Sequence, residues 1–233
     1  MCGRYTLHAD KEALTQHFGV DFNEVTPRYN LAPTERIPFI FSNAAEAKQV
    51  GFARWGLVPH WSKTGTTDKP LFNARSETVL KKPMFRDAFI RGRCLIPASG
   101  WYEWLRTELG GKQPYHLRPK VDGPVAFAGL FDVWRGEGQK PVVSCAVLTT
   151  QASGGLSWLD ERMPVVMDYD HYDRWLDRNT PDVADLTELL TPYPADELEV
   201  YPVSTTVNRA SVEGPELITA VGERQGAVGP IVQ

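Results

Sequence analysis

Short runs in which apolar and polar residues alternate recur along the chain, and turn residues separate them. Runs of this kind, typical of half-buried strands, lie at residues 3–9, 36–42, 48–61, 94–105, 113–119, 124–134, 142–150, 163–167 and 197–204. Because the segment between the second and third runs is short and polar, we expect these two strands to pair. The pattern predicts a chain dominated by antiparallel sheets.

Helical patterns are confined to a few short segments. Asp10 and Gly19 are suited to begin and end the first helix, and Pro83 is suited to the first turn of the second. The predicted helices cover residues 11–18, 83–92, 171–179 and 181–190, with a further short helix beginning near residue 76. Strands with a few short helices predict the α+β class.

Two segments are expected to be irregular. Pro27 and Pro33 predict a loop over 26–36, since proline cannot donate to a sheet or helix. Beyond residue 208 the composition turns to Gly, Val, Glu and Pro without a period. We therefore expect one domain over 1–208 and a loosely held tail over 209–233.

Charge divides the chain unevenly. The net charge of −4 argues against a polycation that coats nucleic acid, yet residues 1–150 carry 20 Lys and Arg against 14 Asp and Glu. Residues 151–233 carry 5 against 15. An anion-binding surface is therefore expected in the first part, most of all in the basic stretch 71–94.

Cysteine usage favours a reducing compartment. Three cysteines do not form a disulfide framework, and Cys94 and Cys145 lie in apolar runs where a buried, inert thiol is expected. No apolar run reaches the length of a signal peptide or membrane span, and no histidines stand at metal-ligand spacing. We expect a cytoplasmic protein without a metal.

Cys2 has chemistry that an internal cysteine lacks. If Met1 is removed, the α-amine and the thiol of Cys2 stand on neighbouring carbons. The amine can attack an aldehyde to form an imine, and the thiol can add to the imine carbon to close a thiazolidine ring. This requires the aminothiol to be exposed at the start of the mature chain. The competing interpretation is a cysteine without chemical function.

Two further segments carry candidate site residues. Asn73 and Arg75 alternate onto one side of an extended segment, which suits contacts to phosphate and sugar, although in isolation a loop amide and a surface guanidinium are the favoured interpretation. Glu103 shares a strand face with Trp101, and an aromatic wall disfavours the charged carboxylate. Such a group can shuttle protons, whereas on a solvent-facing edge strand it is simply exposed.

Aromatic and basic residues alternate over 52–61, a composition suited to stacking on unpaired bases. Trp61 is the candidate for stacking. For Trp55 a core position is the favoured interpretation.

Several motifs, in order, resemble the SOS-response-associated peptidase (SRAP) family: MCGRY, WGLVPHW, FNARSET, FRDAFIRGRCLIPASGWYEW, FAGLFDVW, VLTT and RMPVVM. The resemblance spans about residues 2–205, and the first, third and fourth motifs together are highly specific. It implies an α+β fold centred on an antiparallel, β-barrel-like sheet assembly with short flanking helices. It also implies recognition of abasic sites in single-stranded DNA during the DNA damage response.

The resemblance assigns roles to individual residues. Cys2 would be the crosslinking nucleophile, Asn73 would orient the ring-opened sugar, and Glu103 would be the acid and base of imine and thiazolidine formation. Positions that would hold phosphates or stack at the lesion are Arg4, Trp61, Arg75, Arg86, Thr149 and Arg162.

One position departs from the family pattern. Where the family usually has a histidine, in the run LDERMP, this chain has Asp160. A carboxylate charged at neutral pH donates a proton less readily than imidazole. Adduct formation is expected to survive, whereas ring opening, strand scission or crosslink reversal is in question. Alternatively Asp160 accepts a proton there, or a local shift lets Glu161 serve.

The leading hypothesis is a sensor that shields abasic sites in single-stranded DNA as a thiazolidine crosslink. One alternative is a thiol peptidase that uses the terminal amine as base, and another is a noncatalytic reader of modified DNA. We expect a monomer without cofactor, cytoplasmic and bacterial in type, associated with the nucleoid at damage.

Overall fold

The computed structural model describes residues 2–108, 110–180, 182–222 and 225–226. The strands are β1 Tyr5–Leu7, β2 Arg28–Leu31, β3 Arg36–Ser42, β4 Lys48–Trp55, β5 Asn73–Arg75, β6 Arg93–Ala98, β7 Gly100–Arg106, β8 Lys112–Pro119, β9 Val125–Trp134, β10 Val142–Gln151, β11 Arg162–Pro164, β12 Val166–Met167, β13 Leu198–Pro202 and β14 Gln225–Gly226. The α-helices are α1 Lys11–Phe18, α2 Pro83–Arg91 and α3 Tyr172–Leu176. Single 3₁₀ turns, such as Ser76–Thr78, and a longer 3₁₀ helix, Val183–Leu189, fill several connections.

One sheet closes on itself into a barrel. Its strands pair in the order β10, β4, β3, β6 and β9, and β9 pairs again with β10. Every pairing in this ring is antiparallel except that of β10 with β4. Closure removes free strand edges, and buried aliphatic and aromatic side chains form the core. The predicted α+β class is confirmed, as is the pairing of the strand at 36–42 with the run at 48–61, although only residues 48–55 of that run form a strand.

The barrel strand β10 also carries two short strands. At Thr149 its partners are Arg75 of β5 on one edge and Pro164 of β11 on the other. Residues of β5 and β11 are therefore neighbours across one strand, although they lie far apart in the sequence.

A second sheet has the order β14, β13, β8, β7, β1 and β2. Aromatic side chains join it to the barrel: the ring of Tyr5 meets that of Trp55 at 5.4 Å and that of Phe127 at 5.9 Å, and Trp101 meets Phe127 at 6.0 Å. Such pairs contribute about 0.5–1.5 kcal/mol each beyond burial. The junction between the sheets is Ser99, where the chain leaves barrel strand β6 and enters β7.

The first helix begins and ends where its sequence predicts. Asp10 accepts a hydrogen bond from the Ala13 amide at 2.8 Å, and Gly19 adopts a left-handed φ of 65°. Both features satisfy backbone groups that a helix terminus leaves unpaired.

The expected loop over 26–36 was wrong in part. Arg28–Leu31 forms β2 on the edge of β1, with Tyr5 opposite Leu31. Pro27 and Pro33 flank this strand instead of interrupting it, so neither ring removes a ladder hydrogen bond. The predicted helix over 181–190 is a 3₁₀ helix, and Pro181 lies outside the described residues.

The boundary at residue 208 stays a prediction. Past it, Leu217 is buried with Tyr102, Tyr201, Val203 and Val207 in a second hydrophobic cluster. Residues 223–224 and 227–233 of the expected tail lie outside the described residues. In the part of the chain that the structure describes, no helix is long and apolar enough to cross a membrane.

Candidate active site

Cys2 is held at the interface of the two sheets. It precedes β1, while Asn73 begins β5 on the barrel strand β10. The side-chain amide of Asn73 donates to the Cys2 carbonyl oxygen at 2.7 Å. The other polar atom of Asn73, Oδ1, is buried and has no hydrogen-bond partner among the described residues. One amide thus positions the cysteine and presents an unused acceptor.

Glu103 lies in the middle of β7 and is 4% exposed. Burial, together with the negative charge of Asp160, raises its pKa to about 8. A carboxyl group with this pKa is mostly protonated at neutral pH and can both donate and accept a proton. Of the two interpretations left open for Glu103, the structure shows the buried one, with Trp101 buried on the same strand and lining the same cavity.

The Cys2 side chain is fully buried, which differs from the expected exposed aminothiol. Burial raises the pKa of the Cys2 thiol well above its usual range, and the charges of Glu103 and Asp160 raise it further. Because its pKa is raised, the Cys2 thiol is neutral at physiological pH. It needs a base at the moment it acts as a nucleophile.

A small cavity of about 10 Å³ lies beside Glu103. Its lining includes Trp101, Glu103, Asp160, Arg162 and Met163. Strand β7 brings the first two and the segment that opens β11 brings the others. Asp160 Oδ1 accepts a hydrogen bond from the Arg162 backbone amide at 2.8 Å, which fixes this carboxylate at the start of β11. The structure therefore brings Asp160 to Glu103, as their mutual electrostatic effect requires.

Arg162 forms a bidentate ion pair with Glu77, with nitrogen–oxygen distances of 2.5 and 3.0 Å. Arg162 Nη2 also donates to the carbonyl and the hydroxyl oxygens of Thr149, at 2.6 and 3.2 Å. Thr149 itself is buried, and its oxygens contact Arg162. Glu77 could not be predicted as a site residue, because its partner is 85 residues away and the shared strand β10 brings the two together.

The remaining DNA-contact candidates are spread over the surface. Arg75 is exposed at the end of β5, Trp61 is 48% exposed, and Arg86 lies on α2 with Asp87 at 3.4 Å. Arg4 is bound internally, since its guanidinium donates to Asn30 at 2.7 Å and to the Val207 carbonyl at 3.0 Å. Their roles toward DNA stay predictions.

The predicted core position of Trp55 is observed. Its ring is fully buried and Nε1 donates to the Phe72 carbonyl at 2.9 Å. Cys94 and Cys145 are buried free thiols, as the sequence predicts. Within the described residues no group of three or more His, Cys, Asp or Glu side chains is placed to hold a metal ion.

The fold and the site together define an α+β barrel protein with a candidate cysteine and carboxyl active site. The chain belongs to the SOS response associated peptidase (SRAP) family, whose model matches residues 1–210. The abasic site processing protein YoaM of Bacillus subtilis is 35% identical over 224 residues, covering 94% of this chain and 98% of that protein. The abasic site processing protein HMCES of Xenopus tropicalis is 30% identical over 231 residues, covering 86% of this chain and 68% of that protein.

Solved structures agree with the fold. A crystal structure of a Bacteroides thetaiotaomicron protein aligns with a TM-score of 0.83 over 94% of this chain and 99% of that one, at 22% identity. A phage-related protein of Bordetella bronchiseptica aligns with a TM-score of 0.72 over 87% of this chain and 94% of that one, at 30% identity.

Proposed function

We propose that this protein captures abasic sites in single-stranded DNA as a covalent thiazolidine through Cys2, after removal of Met1. The observation that carries the proposal is that Asn73 holds the Cys2 backbone while the carboxyl groups of Glu103 and Asp160 lie close enough to act on the Cys2 thiol. Relatives that cover nearly the whole chain are named abasic site processing proteins, which supports the same substrate.

The first step joins the amine to the sugar. The neutral α-amine of Cys2 attacks the C1′ aldehyde of the ring-opened deoxyribose and gives a carbinolamine. Glu103, protonated at neutral pH because its pKa is about 8, donates its proton to the departing hydroxyl group. Water leaves, and an iminium forms that carries the positive charge next to the Glu103 carboxylate.

The second step closes the ring. The buried Cys2 thiol does not ionise by itself, since burial raises its pKa. The Glu103 carboxylate left by the first step takes the thiol proton as sulfur adds to the iminium carbon. A carbon–sulfur bond forms, the nitrogen regains its lone pair, and Glu103 returns to its protonated state. The carboxyl group thus serves both steps without a net change.

Asn73 and the basic residues have supporting roles in this proposal. The Asn73 amide fixes the Cys2 backbone and its free Oδ1 accepts from a sugar hydroxyl. Arg75 and Arg86, in the basic first part of the chain, and Arg162, in β11, contact the phosphates of the DNA strand. Trp61 stacks on an unpaired base. Thr149 contributes by holding Arg162.

The test uses a single strand with one uracil, converted to an abasic site by uracil glycosylase. Wild-type protein should give a band that survives denaturing electrophoresis, and the intact mass should show loss of Met1 and the adduct mass less one water. Cys2→Ala should give no such band, while Cys145→Ala, which removes another buried thiol, should give the wild-type yield.

A full yield from Cys2→Ala would refute the proposal. Turnover of peptides without DNA, lost in Cys2→Ala, would instead favour the thiol peptidase interpretation. Unchanged noncovalent binding to modified DNA with no adduct would favour the reader interpretation.

A further inference from the structure

The lining of the small cavity contains a donor that the proposed chemistry leaves unused. Trp101 is fully buried and its indole Nε1 has no hydrogen-bond partner among the described residues. Other buried tryptophans satisfy this atom: Trp55 donates to the Phe72 carbonyl and Trp175 to the Cys94 carbonyl, each at 2.9 Å. A buried donor without a partner is costly, so its retention at a candidate active site calls for a ligand.

Two more buried polar atoms at the site have no partner among the described residues. They are Asn73 Oδ1, beside Cys2, and Arg162 Nε, on the side chain that lines the cavity with Trp101. The two donors, on Trp101 and Arg162, line the cavity, and the acceptor lies beside Cys2; together they match a ligand that carries both hydroxyl hydrogens and oxygen lone pairs. A purely apolar group would leave all three unsatisfied.

Size and charge narrow the ligand further. The cavity, at about 10 Å³, has room for a single oxygen-sized group, since roughly 10–15 Å³ of such volume holds one water molecule. The carboxyl groups of Glu103 and Asp160 line the same space and disfavour a phosphate next to them. The acceptor offered to Trp101 is therefore a neutral oxygen.

We infer that Trp101 is a substrate-binding residue whose indole N–H donates to a neutral oxygen of the ring-opened abasic sugar. The inference rests on the proposed function and deepens it, because it assigns a residue that holds the sugar while Cys2 reacts. The donor acts on the reacting sugar and on no other part of the strand. Its loss should slow the crosslinking step and leave the binding of undamaged strand unchanged.

The test removes the N–H without emptying the site. Trp101 is replaced by 3-benzothienylalanine through amber suppression, which exchanges the N–H for sulfur at nearly constant shape. Trp101→Phe is the second variant, and Trp175→Phe is the control, since Trp175 is equally buried but lies against Cys94 and Arg93. Single-turnover crosslinking at saturating abasic strand, the dissociation constant for undamaged strand, and the melting temperature are measured for each.

Loss of one neutral hydrogen bond should slow crosslinking by about threefold to tenfold in the benzothienyl variant, with strand affinity and melting temperature unchanged. Trp175→Phe should lose melting temperature and keep its crosslinking rate per folded molecule. A wild-type rate in the benzothienyl variant would overturn the role of Trp101 while the proposed function stands. Absence of any crosslink in the wild type would overturn both.

Discussion

The side-chain amide of Asn73 donates a hydrogen bond of 2.7 Å to the backbone carbonyl of Cys2. Asn73 belongs to the barrel sheet, through β5 and β10, whereas Cys2 leads into β1 of the other sheet. The bond therefore fixes the cysteine backbone against the barrel. It does so without using the thiol or the amine, which stay available for chemistry.

Asn73→Ala should slow crosslinking at least tenfold, because it removes both the donor to Cys2 and the free acceptor Oδ1. The free energy of unfolding should fall by about 1 kcal/mol for the lost hydrogen bond. Single-turnover crosslinking and urea unfolding measure the two effects. Asn179→Ala, which removes an exposed amide, should change neither. Equal crosslinking rates in the two variants would exclude a positioning role for Asn73.

The rate of adduct formation should rise and then fall with pH. The rate rises as the α-amine loses its proton, at its ordinary pKa of ~7.7–8.0. It falls as Glu103 loses its proton, at a pKa of about 8. Glu103→Gln removes the group that gives and takes the proton, so the rate should fall by roughly 10²–10⁴ and the alkaline fall should vanish. Glu108→Gln, at an exposed glutamate just beyond the same strand, is the control. An alkaline fall that persists in Glu103→Gln would assign it to another group.

Asp160→Asn tests the effect of the Asp160 charge on Glu103. The Asp160 carboxylate adds to the effect of burial in raising the pKa of Glu103, so its neutral replacement lowers that pKa and should move the alkaline fall to lower pH. The Asn oxygen can still accept from the Arg162 amide, so the fold should be retained. The pH profile of crosslinking measures the shift, with Glu161→Gln as the neighbouring control. A profile that matches the wild type would show that this charge does not act on Glu103.

Local sequence patterns predicted most of the strands and the first helix, because their signals lie within a few residues. Asp10 and Gly19 each act on the helix they bound. The end of β6 shows what local patterns cannot predict. Pro97 lies within β6 opposite Ala126, and the chain changes sheets at Ser99, inside the single run predicted over 94–105. A strand tolerates proline where no neighbouring strand needs the N–H that proline lacks. The positions of the neighbouring strands therefore determine whether proline interrupts a strand.

The candidate site was predicted residue by residue but not as an arrangement. Cys2, Asn73 and Glu103 were recognisable from their motifs, whereas the ion pair of Glu77 with Arg162 depends on β5 and β11 flanking β10. The partnerless Nε1 of Trp101 was also invisible, because alternation in β7 shows which face a side chain takes and not whether its polar atom finds a partner.

Glu77→Gln should strengthen binding to single-stranded DNA about twofold to fivefold at low salt. The Glu77 carboxylate occupies the fork of Arg162 that a phosphate would use, and its removal also takes one negative charge from the proposed strand path. Fluorescence anisotropy over a salt series measures the affinity and its slope. Glu188→Gln breaks a similar pair with Arg174, also at 2.5 Å, in the acidic part of the chain and should leave affinity unchanged. Weaker binding by Glu77→Gln would mean that the ion pair organises the surface instead of competing with DNA.

Gly100→Ala should damage both stability and crosslinking, because the start of β7 has no room for a side chain. A Cβ at Gly100 would lie 2.6 Å from the Leu117 carbonyl oxygen, which belongs to the neighbouring strand backbone and can move away only with that strand. The free energy of unfolding should fall by about 2–4 kcal/mol.

Displacement of β7 also moves Glu103, three residues further on, so crosslinking per folded molecule should fall as well. Gly154→Ala provides the matched control, since a Cβ there meets no atom within 4 Å. Chemical unfolding and single-turnover crosslinking of both variants separate the effect of the close approach from that of an added methyl group. Equal stability of the two variants would show that β8 can yield at Leu117, and a wild-type crosslinking rate in Gly100→Ala would show that the position of Glu103 does not depend on this contact.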